Sequence, residues 1–98
     1  GYKKAIQSPL AIAHECVDVL KLASGLVGKT NPNALSDLGV AAQQAYAGLE
    51  GAVMNVKINI PSIKDESFIK STRDDIAALL EDGQGLARKV RVYVNDNL

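Results

Sequence analysis

The sequence predicts an all-α protein, three long helices in an antiparallel bundle, and two observations carry that expectation. Proline-containing punctuations at Gly28-Lys29-Thr30-Asn31-Pro32-Asn33 and Asn59-Ile60-Pro61-Ser62 divide the chain into three segments. Within each segment apolar residues return at steps of three and four, the spacing of one helical face. With 98 residues, 47% hydrophobic and 22% charged, the chain has the size and composition of a single globular domain, so residues 1–98 are read as one helical domain.

The first helix is expected from Pro9 to Val27. Ser8 reads as its N-cap, and Pro9 fits the first helical position because the N–H it lacks has no partner there. Two adjoining stripes, Leu10, Ala13, Val17, Leu20 and Ile12, Cys16, Val19, Ala23, Leu26, leave a narrow polar stripe at His14, Asp18, Lys21 and Gly25. Most of this helix is therefore expected to be buried.

The second helix is expected from Leu35 to Ile58. It carries only Asp37, Glu50 and Lys57 as charges and is dotted with Gly39, Gly48 and Gly51, which suits a central helix approached closely by a neighbouring backbone. Gln44, Gly48, Gly51, Asn55 and Asn59 follow one another at steps of three or four, giving a polar but uncharged face. Such a stripe is either an internal polar network or the wall of a ligand cleft.

The third helix opens at Asp65, or earlier through the Ser62-x-x-Asp65 spacing of a capping box, and runs for ~30 residues, about 45 Å. Ile69, Thr72, Ile76, Leu79, Gly83, Leu86, Val90 and Tyr93 form a heptad seam, with Leu80, Ala87 and Val94 widening it. The first helix is too short to cover that seam, so a partner chain, as a homodimer or higher homo-oligomer, or a missing segment of this chain is expected to complete the bundle. Gly83 and Gly85 mark the weakest point of the helix.

Eleven basic residues balance eleven acidic ones, so no net field draws in nucleic acid or an anionic membrane. Aromatic residues make up 4%, too few for a base-stacking platform. Cys16 has no partner for an internal disulfide, and with His14 as the one imidazole there is no zinc ligand set, so no metal or nucleotide cofactor is expected. No apolar run reaches the ~18 residues of a membrane span, and no secretory signal opens the sequence, which points to a reducing cytoplasm.

At Asn31-Pro32-Asn33-Ala34-Leu35-Ser36-Asp37-Leu38-Gly39-Val40-Ala41-Ala42, and again at Asn55-Val56-Lys57-Ile58-Asn59-Ile60, the sequence resembles the cyclodeaminase domain of formimidoyltransferase-cyclodeaminase. It is similar in the same places to the bacterial methenyltetrahydrofolate cyclohydrolases. Ile63-Lys64-Asp65-Glu66-Ser67-Phe68 looks like the start of that family's last helix, and Ser8-Pro9-Leu10 like the proline that opens the preceding long one. The family's Pro-Gly-Gly-Gly-Ser stretch has no counterpart in these residues, so the chain is expected to be the C-terminal half of such a domain. The resemblance implies an all-α, dimer-forming cytosolic enzyme whose substrate is a tetrahydrofolate derivative. Its reaction would expel ammonia from 5-formimidoyl-tetrahydrofolate to give 5,10-methenyl-tetrahydrofolate, or hydrolyse the methenyl compound. A non-catalytic helical oligomerisation module of the same ancestry is the alternative.

Both reactions pass through a tetrahedral carbon between N5 and N10, and loss of ammonia needs a proton donor. Asp37, inside the first motif, is the catalytic candidate, with Ser36 beside it as a substrate contact, although the same pair suits a helix N-terminus as cap and dipole partner. Asn55 and Asn59 are candidates to hydrogen-bond the edge of a pterin, or else to tie the second helix to the turn after it. His14 reads as an exposed i,i+4 partner of Asp18, and Cys16 as a small hydrophobe with no cation nearby. Arg88, Lys89 and Arg91 form a basic cluster that would suit an anionic substrate tail but reads more simply as a solvated face.

Overall fold

The computed structural model describes residues 2–98, with side chains from Lys3 onward. It contains α1 (Tyr2–Gly25), α2 (Leu35–Asn59) and α3 (Glu66–Asn97), with single 3-10 turns at Pro32–Ala34 and Ile60–Ser62. No strand occurs among the described residues. The body measures 51 × 17 × 15 Å. Contacts fix the directions: Gly48 lies against Cys16, Gly39 against Val94 and Gly83 against Leu49, while Lys3 meets Asp65 and His14 meets Asp75. Thus α1 and α3 both run antiparallel to α2 and parallel to each other, as the short connections require.

Local signals set α2 and the start of α3. Asn31 caps the first 3-10 turn, its side chain accepting from the Asn33 N–H at 2.9 Å, and Pro32 occupies the first position of that turn. Asp65 is the N-cap of α3, accepting from the Phe68 N–H at 3.1 Å. Ser62 belongs to the preceding 3-10 turn, so the capping-box reading of Ser62-x-x-Asp65 does not hold. Gly28, with φ of 77°, turns the chain after α1 through a conformation that side chains disfavour.

The first helix starts earlier than its caps predict. Pro9 lies inside α1, not at its first position, and Ser8 is not a cap. An interior proline costs ~3 kcal/mol and removes one backbone bond, so tertiary contacts must hold the first two turns. Ile6 is 0% exposed in the core. Lys3 donates to Asp65 at 2.8 Å and stands 5.0 Å from the centre of the Phe68 ring. The expected burial of α1 is also too generous: Ile12, Val19, Leu22 and Leu26 of its apolar positions face solvent.

One continuous core runs through the bundle, with Ile6, Leu20, Leu49, Val56 and Val90 its largest fully enclosed side chains. The seam of α3 lies inside it. Thr72, Ile76, Leu79, Gly83, Ala87, Val90 and Val94 are buried by α1 and α2 of the same chain, because α1 is long enough to lie along α3 from its first turns. The seam therefore requires no second chain. The unpartnered apolar surface lies elsewhere, on α1 and on the outer side of α2, where Val40, Met54 and Ile58 are exposed; α2 is not an enclosed central helix.

Two results follow from this packing. The Asp65 carboxyl is held well below the usual carboxylate range, first by the Lys3 ammonium, then by the N–H of Phe68 and the hydroxyl of Ser67. A carboxyl with a lowered folded pKa adds stability above its unfolded pKa of about 4, and that stability is lost as pH falls from there through the folded value. Asp65→Asn keeps a capping oxygen but no charge, so its melting temperature should fall less than that of the native protein between pH 7 and pH 3. Equal falls would show that the Lys3 pair contributes nothing.

The glycine positions give the second. A Cβ on Gly48 would stand 3.0 Å from the Cys16 Sγ, and one on Gly39 3.0 Å from a Val94 methyl, while Gly51 has open space around it. Close approach at Gly48 and Gly39 is thus to side chains, not to a backbone. Gly48→Leu should press on α1, with overpacking of ~1–3 kcal/mol partly offset by the ~1 kcal/mol gained in helix propensity. Calorimetry should find Gly48→Leu melting several degrees below Gly51→Leu, which gains the same propensity with open space around it, and equal values refute the contact.

Candidate functional site

The residues singled out from sequence fall at the two ends of α2. Ser36 and Asp37 are exposed in its first turn. Neither caps it: the N-cap is Ala34, and no side chain bonds the helix end there. The hydroxyl of Thr30, in the connection leading to this end, is enclosed and without a hydrogen-bond partner among the described residues. Asp37 places negative charge on the positive end of the helix dipole, and its carboxylate is open to an incoming group.

Asn55 and Asn59 occupy the other end. Asn59 is half-buried and donates its side-chain N–H to the Asn55 carbonyl at 2.8 Å, which ties the last turn of α2. The Asn55 side chain is exposed. Eighteen residues, or five turns, separate Asp37 from Asn55, so they share one side of α2 but stand ~27 Å apart along it. One chain therefore does not bring them onto the same ring. The uncharged stripe through Gln44, Gly48 and Gly51 joins them along the surface beside α1, and it is not an internal polar network, since Gln44 and Asn55 are both exposed.

The opposite flank of α2 holds a groove that sequence reasoning did not single out. Gly39, Ala42, Tyr46 and Glu50 of α2 and Ala87, Arg91, Val94 and Asn95 of α3 line a recess of about 290 Å³. Its floor is apolar because Gly39 lets Val94 approach closely. Tyr46, half-buried, extends the lining towards Gln84 and Arg88. The groove thus gathers the Arg91 guanidinium, a phenol and a carboxylate over an apolar base, with Arg88 in the adjoining recess, at the small end of the range for ligand pockets. Its signal in the sequence was Tyr46 set among small residues, with Arg88 and Arg91 one turn apart. Two of the three residues of the basic cluster line a recess; Lys89 does not. Asp37 points from the other side of α2, about 200° around the helix from Gly39, so the groove and the carboxylate are separate in one chain.

His14 and Cys16 take structural parts. His14 pairs with Asp75 of α3 at 3.1 Å, not with Asp18, and so ties α1 to α3. Burial, and then the Glu15 carboxylate, push the Cys16 thiol up, as suits a small hydrophobe and not a nucleophile. Among the described residues no three His, Cys, Asp or Glu side chains converge as metal ligands, and no helix is long and apolar enough to cross a membrane.

Comparison with known proteins places this geometry in a family. The model of formiminotransferase-cyclodeaminase matches residues 1–78. The methenyltetrahydrofolate cyclohydrolase of Methylorubrum extorquens is 35% identical over 88 residues, which are 90% of this chain and 42% of that protein. The formimidoyltransferase-cyclodeaminase of Rattus norvegicus is 33% identical over 90 residues, 92% of this chain and 17% of that protein. That of Gallus gallus is 32% identical over 84 residues, 86% of this chain and 16% of that protein. The chain spans less than half the length of these relatives, and it matches each of them over most of its own: it belongs to the formiminotransferase-cyclodeaminase family.

Proposed function

We propose that this chain is the C-terminal half of a cyclodeaminase-like domain and contributes to an enzyme acting on one-carbon units carried by tetrahydrofolate. The observation that carries the reading is its 35% identity, across 90% of its length, to a protein named methenyltetrahydrofolate cyclohydrolase. Either of two reactions suits the family: loss of ammonia from 5-formimidoyl-tetrahydrofolate, or hydrolysis of 5,10-methenyl-tetrahydrofolate. Both need a positioned proton carrier and hydrogen-bond donors around the tetrahedral carbon. Asp37 is proposed for the first role, with Ser36 beside it, and Asn55 and Asn59 for contacts to the substrate. No metal or nucleotide enters this scheme, and a reducing cytoplasm suits the lone thiol.

Since the candidate residues are spread over both ends of α2, residues 1–98 alone are expected to show no turnover on either substrate. A longer form of the protein that includes a glycine-rich first half should turn over at least one. Spectrophotometric assay of both folates with both forms makes the test. A longer, folded form inert on both substrates would overturn the enzymatic reading and leave that of a helical association module.

A further inference from the structure

The groove between α2 and α3 has no part in the folate reading, and two recesses make it up. One, of about 290 Å³, runs from Gly39 to Glu50 along α2 and reaches Arg91 and Asn95 on α3. The other, of about 250 Å³, lies beside Gln84 and Arg88. Tyr46, Ala87 and Arg91 line both, so the two adjoin.

Its cationic groups are unanswered within the chain. The ion pairs among the described residues are Lys3 with Asp65, His14 with Asp75 and Lys70 with Asp74, and neither Arg88 nor Arg91 belongs to one. The Tyr46 phenol likewise enters none of the side-chain hydrogen bonds among those residues. Arg88 and Arg91 stand about one turn apart on the same side of α3. Each guanidinium offers a planar fork of N–H donors that matches a carboxylate, and the phenol adds another donor.

Charge and shape then define the ligand. Two guanidinium groups against the Glu50 carboxylate leave a single positive charge to be answered, which suits a monoanion. A phosphate monoester brings close to two negative charges at pH 7, and the glutamate end of a folate brings two carboxylates; Glu50 disfavours both. Beneath lies a buried apolar floor of Ala42, Ala87 and Val94. The half-buried ring of Tyr46 adds an aromatic wall, against which a flat body packs well.

We propose that the groove between α2 and α3 binds a small, flat organic monocarboxylate other than the folate substrate. Arg88, Arg91 and the Tyr46 hydroxyl hold its carboxylate, and its apolar body lies over Ala42, Ala87 and Val94. The site works without Asp37, which points from the other side of α2.

The test is an NMR titration of residues 1–98 with naphthoate, with naphthylmethanol and naphthyl phosphate as comparison ligands. Naphthoate should bind saturably, with Kd on the order of 1 mM for a ligand of ~13 non-hydrogen atoms, and should move the amides of Gly39, Tyr46, Ala87 and Arg91. The uncharged alcohol and the phosphate should each bind about 10-fold more weakly. Arg88→Gln and Arg91→Gln should each weaken naphthoate about 10-fold with circular dichroism unchanged, whereas Lys89→Gln, which lines neither recess, should not. Glu50→Gln should bring the phosphate level with naphthoate.

No saturable shift up to ~10 mM overturns the proposal. So does equal binding of the alcohol, or a Lys89→Gln effect as large as that of Arg91→Gln, the mark of diffuse charge attraction. Shifts centred on Val19, Met54 and Ile58 would place the ligand on the exposed apolar face of α1 and α2 and also overturn it. Displacement of naphthoate by 5-formyl-tetrahydrofolate would make the groove part of a folate site: this inference would fail and the folate reading would stand. A longer form of the protein should show the same shifts, and their loss there would mean that the groove is covered and the proposal wrong.

Discussion

Replacing Asp37 by Asn in a longer, active form of the protein is expected to cut turnover about 100-fold while leaving stability nearly unchanged. The structure makes this substitution cleaner than the sequence suggested. Asp37 sits in the first turn of α2 without capping it, since the N-cap is Ala34 and no side-chain bond closes that end. What Asn removes is the carboxylate, as base or proton carrier and as a charge on the helix dipole; the dipole contribution is ~0.3–1 kcal/mol at an exposed site. Rate and melting temperature therefore report different roles. A slow enzyme that melts within a few degrees of the native protein identifies a functional carboxylate. Full activity on both folates would reduce Asp37 to a dipole partner, and the assignment would fall.

Gly83→Leu should be the most damaging single change to the fold. Gly83 is buried in α3, and a Cβ built on it would collide with a methyl of Leu49, with a Leu20 methyl 3.6 Å away. Leu49 and Leu20 are both fully enclosed, so neither has free space to turn into. Overpacking of this kind costs ~1–3 kcal/mol for modest insertions and more where the neighbours are trapped, so a loss of at least ~3 kcal/mol is expected. For a domain of this size each kcal/mol is worth ~4–8 °C in melting temperature. Pairing the change with Leu49→Ala frees space beside the new side chain, and the double variant should be more stable than the sum of the two single losses allows. Strict additivity would show that Leu49 does not occupy the place where Gly83 lacks a side chain.

The same glycine shows where reading the sequence stops. In a helix interior Gly is an unfavourable residue, and Gly83 with Gly85 reads as the weak point of α3. The structure makes Gly83 the seat of a core leucine, whereas Gly85 has open space around it. The heptad spacing puts Gly83 on the seam and Gly85 off it, but the side chain that fills the space over Gly83 belongs to another helix, which no local pattern names.

For the candidate site, the motif residues were legible as a set but their arrangement was not. Ser36, Asp37, Asn55 and Asn59 were marked by resemblance and by side-chain chemistry, and α2 then spreads them over ~27 Å. Tyr46 and Arg91 carry no motif, and their shared recess exists only because α2 and α3 run antiparallel in this register.

The sequence by itself determined the class, the three helices, the course of α2 to within one residue and, as one of two openings it allowed, the start of α3 at Asp65. Each of these rests on interactions within a turn or two: prolines with fixed φ, polar side chains that reach the nearest free N–H, and apolar residues at helical spacing. Only the tertiary structure decided that α1 runs through Pro9, that His14 answers to Asp75, that the α3 seam is closed within the chain, and that the open apolar surface lies on α1 and α2. The reason is that burying Ile6 and pairing Lys3 and His14 depend on residues about sixty positions away, and packing free energy of that kind outweighs the few kcal/mol by which a local signal prefers one helix boundary to another.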